Sequence, residues 1–166
     1  MPVFPGRYAG RIEGDFVVFA IGMRINRPWK PHRWLPVAMA MPRMLRELGD
    51  DPDSGFLGAT QGMLNGGPAV LQYWRSYEHL ERYARNPTAE HLPAWREFNR
   101  RVRGSGDVGI WHETYRVLAG EYETVYANMP RTGLARAADH APLGSTSTSA
   151  TRIGAREHDR APVPGY

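Results

Sequence analysis

The period of hydrophobic and polar positions changes several times along the chain, and each change marks an element. Asp15 to Asn26 (DFVVFAIGMRIN) is a continuous β-branched and aromatic run, the pattern of a strand buried on both faces. From Leu35 to Gly49 the period becomes helical, with Val37, Met41, Met44, Leu45 and Leu48 on one stripe. Pro36 suits the first turn and Gly49 the position just past the end. Pro42 removes a hydrogen bond inside that helix and predicts a kink there or a later start. Gly55 to Asn65 and Ala69 to Ser76 are two extended runs around Asn65-Gly66-Gly67, residues that tolerate positive φ, so they read as a β-hairpin.

Helical spacing then returns. Ser76 is an N-cap for a helix that stops at Asn86-Pro87, with Glu78 and Glu81 near its positive end. A further helix runs from about Thr88 to Arg103, where His91, Trp95, Phe98 and Val102 share a face. Asp107 to Val117 alternates as a strand, followed by a short partner, Glu121 to Pro130. The order is β-α-β-β-α-β with an extra strand or arm. This is the split βαβ, ferredoxin-like pattern of the α+β class, an antiparallel sheet with helices on one face. Both faces of the first strand and of the fourth, Asp107 to Val117, look apolar, and a bare apolar sheet of that size is normally an interface. The reading is a homodimer through the sheet face.

Composition narrows the function. Forty-two per cent of the 166 residues are hydrophobic, enough for a sizeable core. No run of about 18 apolar residues occurs, so no membrane span is expected, and MPVFPGRYAG lacks the build of a signal peptide. The expected localisation is cytoplasmic. There is no cysteine, which removes disulfides, thiolate catalysis and Cys-ligated metals. The net charge of +4 is small and scattered, and the densest basic run, Arg96 to Arg103, carries its apolar residues on a helical stripe. It is the solvated side of a helix, with no nucleic acid expected as partner. Residues 1–140 read as one domain. The Ser/Thr/Pro/Gly/Ala-rich stretch 141–166 reads as a flexible tail that buries too little to order itself, with His140 and His158 solvated.

Three longer motifs resemble a known family. FAIGMRINRPWKPHRWLPV (Phe19 to Val37), YWRSYEHLERYAR (Tyr73 to Arg85) and VGIWHETYRVLAGEYETVYANMPRTGLARA (Val108 to Ala137) are similar to small monooxygenase-like proteins. These belong to the dimeric α+β barrel superfamily, alongside the antibiotic-biosynthesis monooxygenases. The resemblance runs from about Pro5 to Ala138. It implies a dimeric barrel with a ligand pocket between sheet and helices, and an oxidoreductase of secondary metabolism acting on a small, apolar, aromatic or polyketide-like compound. No cofactor is implied for the oxygenase. Haem is the alternative, because haem enzymes such as aldoxime dehydratases share the superfamily, and a non-catalytic binding dimer is a third reading. Fold does not decide among them.

The stretch GIWHETYRV, Gly109 to Val117, carries the sharpest candidate. Alternation places Ile110, His112 and Thr114 on one face and Trp111, Glu113 and Tyr115 on the other, without saying which face meets the helices. A cofactor-free oxygenase needs a base that forms a substrate carbanion, and a histidine's usual titration range suits His112 to it. The structural alternative is a buried histidine satisfied by its neighbours. Glu113 reads as an ion-pair partner of Arg24 or Arg116. Arg24 and Asn26 end the first strand, where they either bind an anionic or carbonyl group or tie the strand end down. Trp29 and Trp34 bracket the next bridge as pocket roof or core. Trp74, Tyr115 and Tyr126 suit an aromatic pocket wall or a subunit contact. His91 and Trp95 are candidate pocket residues on the later helix, and His79 with Tyr83 reads as an exposed helical pair. No spacing of histidines or acids demands a metal. A cavity of roughly 300 Å³ or more beside His112 would argue against a closed, non-catalytic core.

Overall fold

The computed structural model describes residues 1–87, 96, 98–100, 104–144 and 148–154. Contacts divide the chain into two compact units, Val17–Arg116 and a second formed by Met1–Phe16 with Val117–Tyr166. No helix among the described residues is long and apolar enough to cross a membrane.

The first unit holds the split βαβ pattern. Its elements are β2 (Phe16–Ile25), α1 (Pro31–Asp50), a 3-10 turn (Pro52–Ser54), β3 (Phe56–Leu64), β4 (Gly67–Trp74), α2 (Tyr77–Arg85) and β5 (Val108–Val117). β1 (Phe4–Arg11) belongs to the other unit. The strand order is β3-β4-β2-β5, with β4 antiparallel to both β2 and β3. Each βαβ unit thus straddles a strand of the other, which is the ferredoxin-like topology.

The hairpin forms as its sequence demands. Asn65 and Gly66 both take positive φ, 52° and 81°, the pair a two-residue type I′ turn needs. Gly67 lies against the Met23 carbonyl so closely that a Cβ there would collide with backbone. α1 differs from expectation. It starts at Pro31, whose fixed φ suits the first turn, and runs for 20 residues through both Pro36 and Pro42. Pro42 leaves the Ala38 carbonyl without its helical donor, and the helix continues because Leu48, further along the same stripe, is anchored in the core. Ser76 caps α2 as read, accepting from the His79 N–H at 3.4 Å.

That core joins Val17, Leu48, Trp74 and Leu80, flanked by Phe19, Phe56 and Tyr83. It binds the end of the sheet to both helices. A second cluster, Met23 and Val108 with Trp34, Val37 and Phe98, closes the other end. Asp107, at the foot of β5, is buried, 3 % exposed. Lys30 Nζ stands 3.1 Å from both its oxygens, and Arg27 Nε lies 3.2 Å away. Its carbonyl also accepts the backbone N–H groups of Asn26 and Arg27. Burial alone would raise its carboxyl; the hydrogen bonds and charge of Lys30, with Arg27 and Arg33 adding theirs, outweigh that and hold it below the ordinary range.

The second unit is a three-stranded sheet, β6-β1-β7, of Tyr126–Met129, Phe4–Arg11 and Asp139–Pro142. β1 carries Pro5, Gly6 and Gly10 and shows no strand pattern on its own; its partners make it one. Gly10 passes so near the Leu134–Ala135 backbone that a Cβ would sit 2.5 Å from the Ala135 nitrogen. Two further readings are corrected here. β6 pairs with β1, not with the strand at Val108–Val117. Ala141 and Pro142 belong to β7 rather than to a tail, and His140 is stacked on Tyr8 at 4.3 Å, not solvated. Ser149–Arg152 forms one helical turn, and Arg152 pairs with Glu123 at 2.7 Å. His158 lies outside the described residues.

Candidate active site

The helix-facing side of the sheet is the side that carries His112. Val17, Phe19 and Ile21 on β2 oppose Trp74, Gln72 and Val70 on β4, and these side chains share that face. On the neighbouring strand the rings of Phe19 and His112 lie 5.7 Å apart, tilted by 46°. Above them, between the sheet and helices α1 and α2, is a cleft of about 1280 Å³. That is above the usual range for small-molecule sites, roughly 300–1000 Å³. It is far larger than a closed core with a satisfied histidine would leave.

The walls are unequal. β2 supplies Phe19, Ile21 and Met23, while α1 supplies Val37, Met39, Met41 and Met44. Thioether side chains are flexible and polarizable, so this wall can adapt to guests of different shape. The Ala38 segment, whose carbonyl lost its donor to Pro42, also lines the cleft. Most of the polar groups lie along β5 and α2, with Arg43 on α1 and Gln61 on β3 besides. His112 and Thr114 face Tyr77, Glu81 and Arg85, with the last two joined by an i,i+4 ion pair at 2.8 Å. Arg116 lies over the Tyr77 ring, 4.9 Å from its centroid. One apolar, deformable wall opposite a titratable imidazole can hold a hydrophobic body and move a proton at its edge. Among the described residues no cluster of three or more His, Asp and Glu side chains could hold a metal ion.

A family model described as monooxygenase af470-like matches residues 16–134. The chain belongs to the monooxygenase af470-like family. It is 29% identical over 133 residues to Monooxygenase af470 of Aspergillus fumigatus, a match that takes in 74% of the chain but 46% of that protein. The chain thus spans a little under half the length of that relative. Among solved structures it is similar to SnoaB, a cofactor-independent oxygenase from Streptomyces nogalater. That superposition has 13% identity and a TM-score of 0.44, covering 61% of this chain and 91% of the other. A dimeric ferredoxin-like protein of unknown function from Bacteroides fragilis gives 14% identity and a TM-score of 0.43, covering 62% and 95%.

Within this family frame, the residues singled out by sequence divide sharply. His112 lines the cleft. Arg24 and Asn26 do not: Arg24 Nε donates to Asn26 Oδ1 at 3.0 Å and its Nη1 to the Asn65 carbonyl at 3.1 Å, while Asn26 Nδ2 donates to the Gly106 carbonyl. They tie the end of β2 to its neighbouring loops. Trp29 is 73% exposed, and Trp34 donates to the Pro28 carbonyl and packs in the second core cluster, so neither roofs the cleft. Trp74 is fully buried beneath it. Tyr115 lies on the far face of the sheet, and its hydroxyl donates to Glu113. That contact takes the place of the expected ion pair of Glu113 with an arginine, since Arg24 is engaged elsewhere and Arg116 lies over Tyr77. Tyr126 sits in the other unit, accepting the Leu134 N–H at 3.0 Å. His91 and Trp95 lie outside the described residues. His79 is half-buried, with Nδ1 2.9 Å from Ser76 Oγ, and Tyr83 donates to Glu47, so the expected exposed pair is an anchored one.

Sequence reasoning missed the methionine wall and the Tyr77–Glu81–Arg85 edge. Met41 and Met44 were legible only as a helical stripe, which reads as core. Tyr77, Glu81 and Arg85 repeat every four residues, a signal that marks one side of α2 without saying what it faces.

Proposed function

We propose that the chain is an oxygenase that binds a small, largely apolar compound of aromatic or polyketide-like type in this cleft, with no tightly held cofactor and with His112 as general base. The observation that carries the reading is the position of His112. Among the described residues it is the only imidazole lining the cleft, and it stands opposite the apolar wall of α1. Membership of a monooxygenase family supports the reaction class.

The chemistry needs only the substrate and O₂. The imidazole takes a proton from an activated CH₂ of the substrate. The carbanion passes one electron to O₂, and the radical pair combines into a peroxide anion that recovers the proton from the imidazolium. Loss of water leaves a carbonyl, so R₂CH₂ + O₂ gives R₂C=O + H₂O, with all four electrons coming from the substrate.

We also propose a homodimer through the far face of the sheet. Val18, Ala20 and Gly22 there pair with Tyr73, Leu71 and Ala69, and Leu71 and Tyr115 stand 37% and 52% exposed. A second copy would cover that face and leave the cleft free.

Oxygen uptake by the purified protein with phenolic and polyketide-like compounds tests the activity. His112→Ala is expected to lower turnover about 10²–10⁴-fold, the usual worth of a positioned base. Uptake that persists unchanged in His112→Ala removes this mechanism. A Soret band on haem titration that depends on His112 would point instead to a haem enzyme in the same cleft.

A further inference from the structure

Beneath the large cleft lies a second recess of about 40 Å³, and the two share Phe19, Ile21, Met41, Met44, Leu80 and Ala84 as walls. Its size suits a guest of one or a few small molecules, since a single water needs roughly 10–15 Å³ measured in this way. The lining is nearly all hydrocarbon and thioether. Its hydroxyl and indole groups are already engaged: Tyr83 donates to Glu47 at 2.8 Å, and Trp74 Nε1 donates to Gln72 Oε1 at 2.9 Å. The Gln72 side chain is 4% exposed. Because an indole nitrogen only donates, the atom facing it must be the amide oxygen, which fixes the amide's orientation. The amide nitrogen is then left with the Met41 thioether at 3.9 Å, a weak acceptor. A buried N–H donor so poorly matched, on the wall of a small apolar recess, is suited to a guest that becomes an acceptor.

Gln72 and Phe19 are register partners across β4 and β2, and Phe19 touches His112 on the next strand. The three therefore form a row on one face, with the base and the amide about 10 Å apart by two strand spacings. Phe19 forms the floor between them. Resting on the oxygenase reading above, we infer that this recess is the dioxygen site. O₂ enters the apolar recess beside Gln72 while the organic substrate lies over Phe19 against His112. One electron passes from the substrate carbanion to O₂. The Gln72 amide N–H then donates to the superoxide, and afterwards to the peroxide oxygen that bonds to the substrate carbon.

Two arms test this. The first does not need turnover: methyl NMR of labelled methionine under O₂ pressure. The Met41 and Met44 methyls are expected to broaden several-fold more than the exposed Met39, and Ala84→Leu, which fills the shared wall, should abolish the excess. Equal broadening at all three methyls overturns the site. The second arm is the KM for O₂. Ala84→Leu and Gln72→Leu should each raise it about tenfold, and in Gln72→Leu, at a position that does not line the large cleft, the dissociation constant of a bound aromatic compound should change less than twofold. An unchanged KM for O₂ in both variants overturns the proposal and leaves the oxygenase reading intact. Selective broadening in a chain that never consumes O₂ with any compound sinks the oxygenase reading instead.

Discussion

The two faces of the four-stranded sheet are built from the same strands and do opposite things. On the helix side, Phe19, Val70, Ile110 and His112 leave a cleft, and α1 lines it with Met39, Met41 and Met44 among its side chains. On the far side Gly22 leaves room for the Trp111 ring; a Cβ on Gly22 would come within 2.7 Å of it. There Glu113 and Tyr115 engage each other two residues apart. One face keeps space and leaves its imidazole available. The other pairs Glu113 with Tyr115 and leaves Leu71 and Tyr115 partly exposed. A strand that alternates sends neighbours to different faces, so adjacent residues can serve chemistry and assembly separately.

The strongest way to break this contrast is to change neighbours. Glu113→Gln, beside the base but on the other face, should leave oxygen uptake within about twofold of the parent, whereas loss of the base at 112 removes 10²–10⁴-fold. If Glu113→Gln falls as far as His112→Ala, the faces are not functionally distinct. Stability gives the second test. Trp74 is fully buried under the cleft, and Trp74→Ala should cost about 3–5 kcal/mol in urea unfolding. Tyr115→Ala, at 52% exposure, should cost within about 0.5 kcal/mol at protein concentrations low enough to keep the chain monomeric. A cost for Tyr115→Ala that grows with protein concentration would place it in a subunit contact.

How legible this was depends on where the information lay. The hairpin turn, the α2 cap and the split βαβ order are local or periodic signals, and the chain obeys them. β1 was not legible, because FPGRYAGR becomes a strand through pairing with β6 and β7 rather than through its own pattern. α1 tolerates Pro36 and Pro42 because tertiary anchoring outweighs the lost hydrogen bonds. For the site, alternation correctly separated His112 from Glu113, but only the packing of the helices shows which face is which. The methionines misled for a physical reason: a cavity wall and a core stripe demand the same side chains at the same spacing. Gln72 gave no signal at all, since an amide on a buried strand gains meaning only from what surrounds it.

A third, smaller effect concerns how β5 is held. Asp107 fixes the foot of the strand that carries His112, through Lys30 and Arg27. Its carboxyl is held below the ordinary range by those cations against the opposing pull of burial. A depressed folded-state pKa contributes stability that is present above the unfolded value of about 3.9 and is lost as pH falls through the folded value. Asp107→Asn should therefore lower the Tm near neutral pH, and the gap to the parent should close as pH falls below about 4. A gap that stays constant from neutral to acid pH would mean that the ion pairs contribute nothing measurable.

The smallest effect reads the far face directly. Tyr115 donates to Glu113, and that hydrogen bond first, then the carboxylate's charge, then burial, raise the phenol above its ordinary value near 10. The protonated phenol is the form the fold prefers. This contribution is complete below the unfolded pKa and is lost as pH rises through the folded one. Glu113→Gln keeps an acceptor but removes the charge, so Tyr115 should titrate closer to the ordinary value, and the alkaline loss of stability should shift accordingly. NMR of ζ-carbon-labelled tyrosine resolves the titration of this side chain from those of the other seven. The same titration also reads the assembly. A second copy covering Tyr115 removes water from the phenolate and raises its pKa further, so the midpoint should climb with protein concentration if the far face is where subunits meet. A midpoint that drops in Glu113→Gln and ignores concentration would keep the Glu113–Tyr115 pair and separate it from any dimer contact.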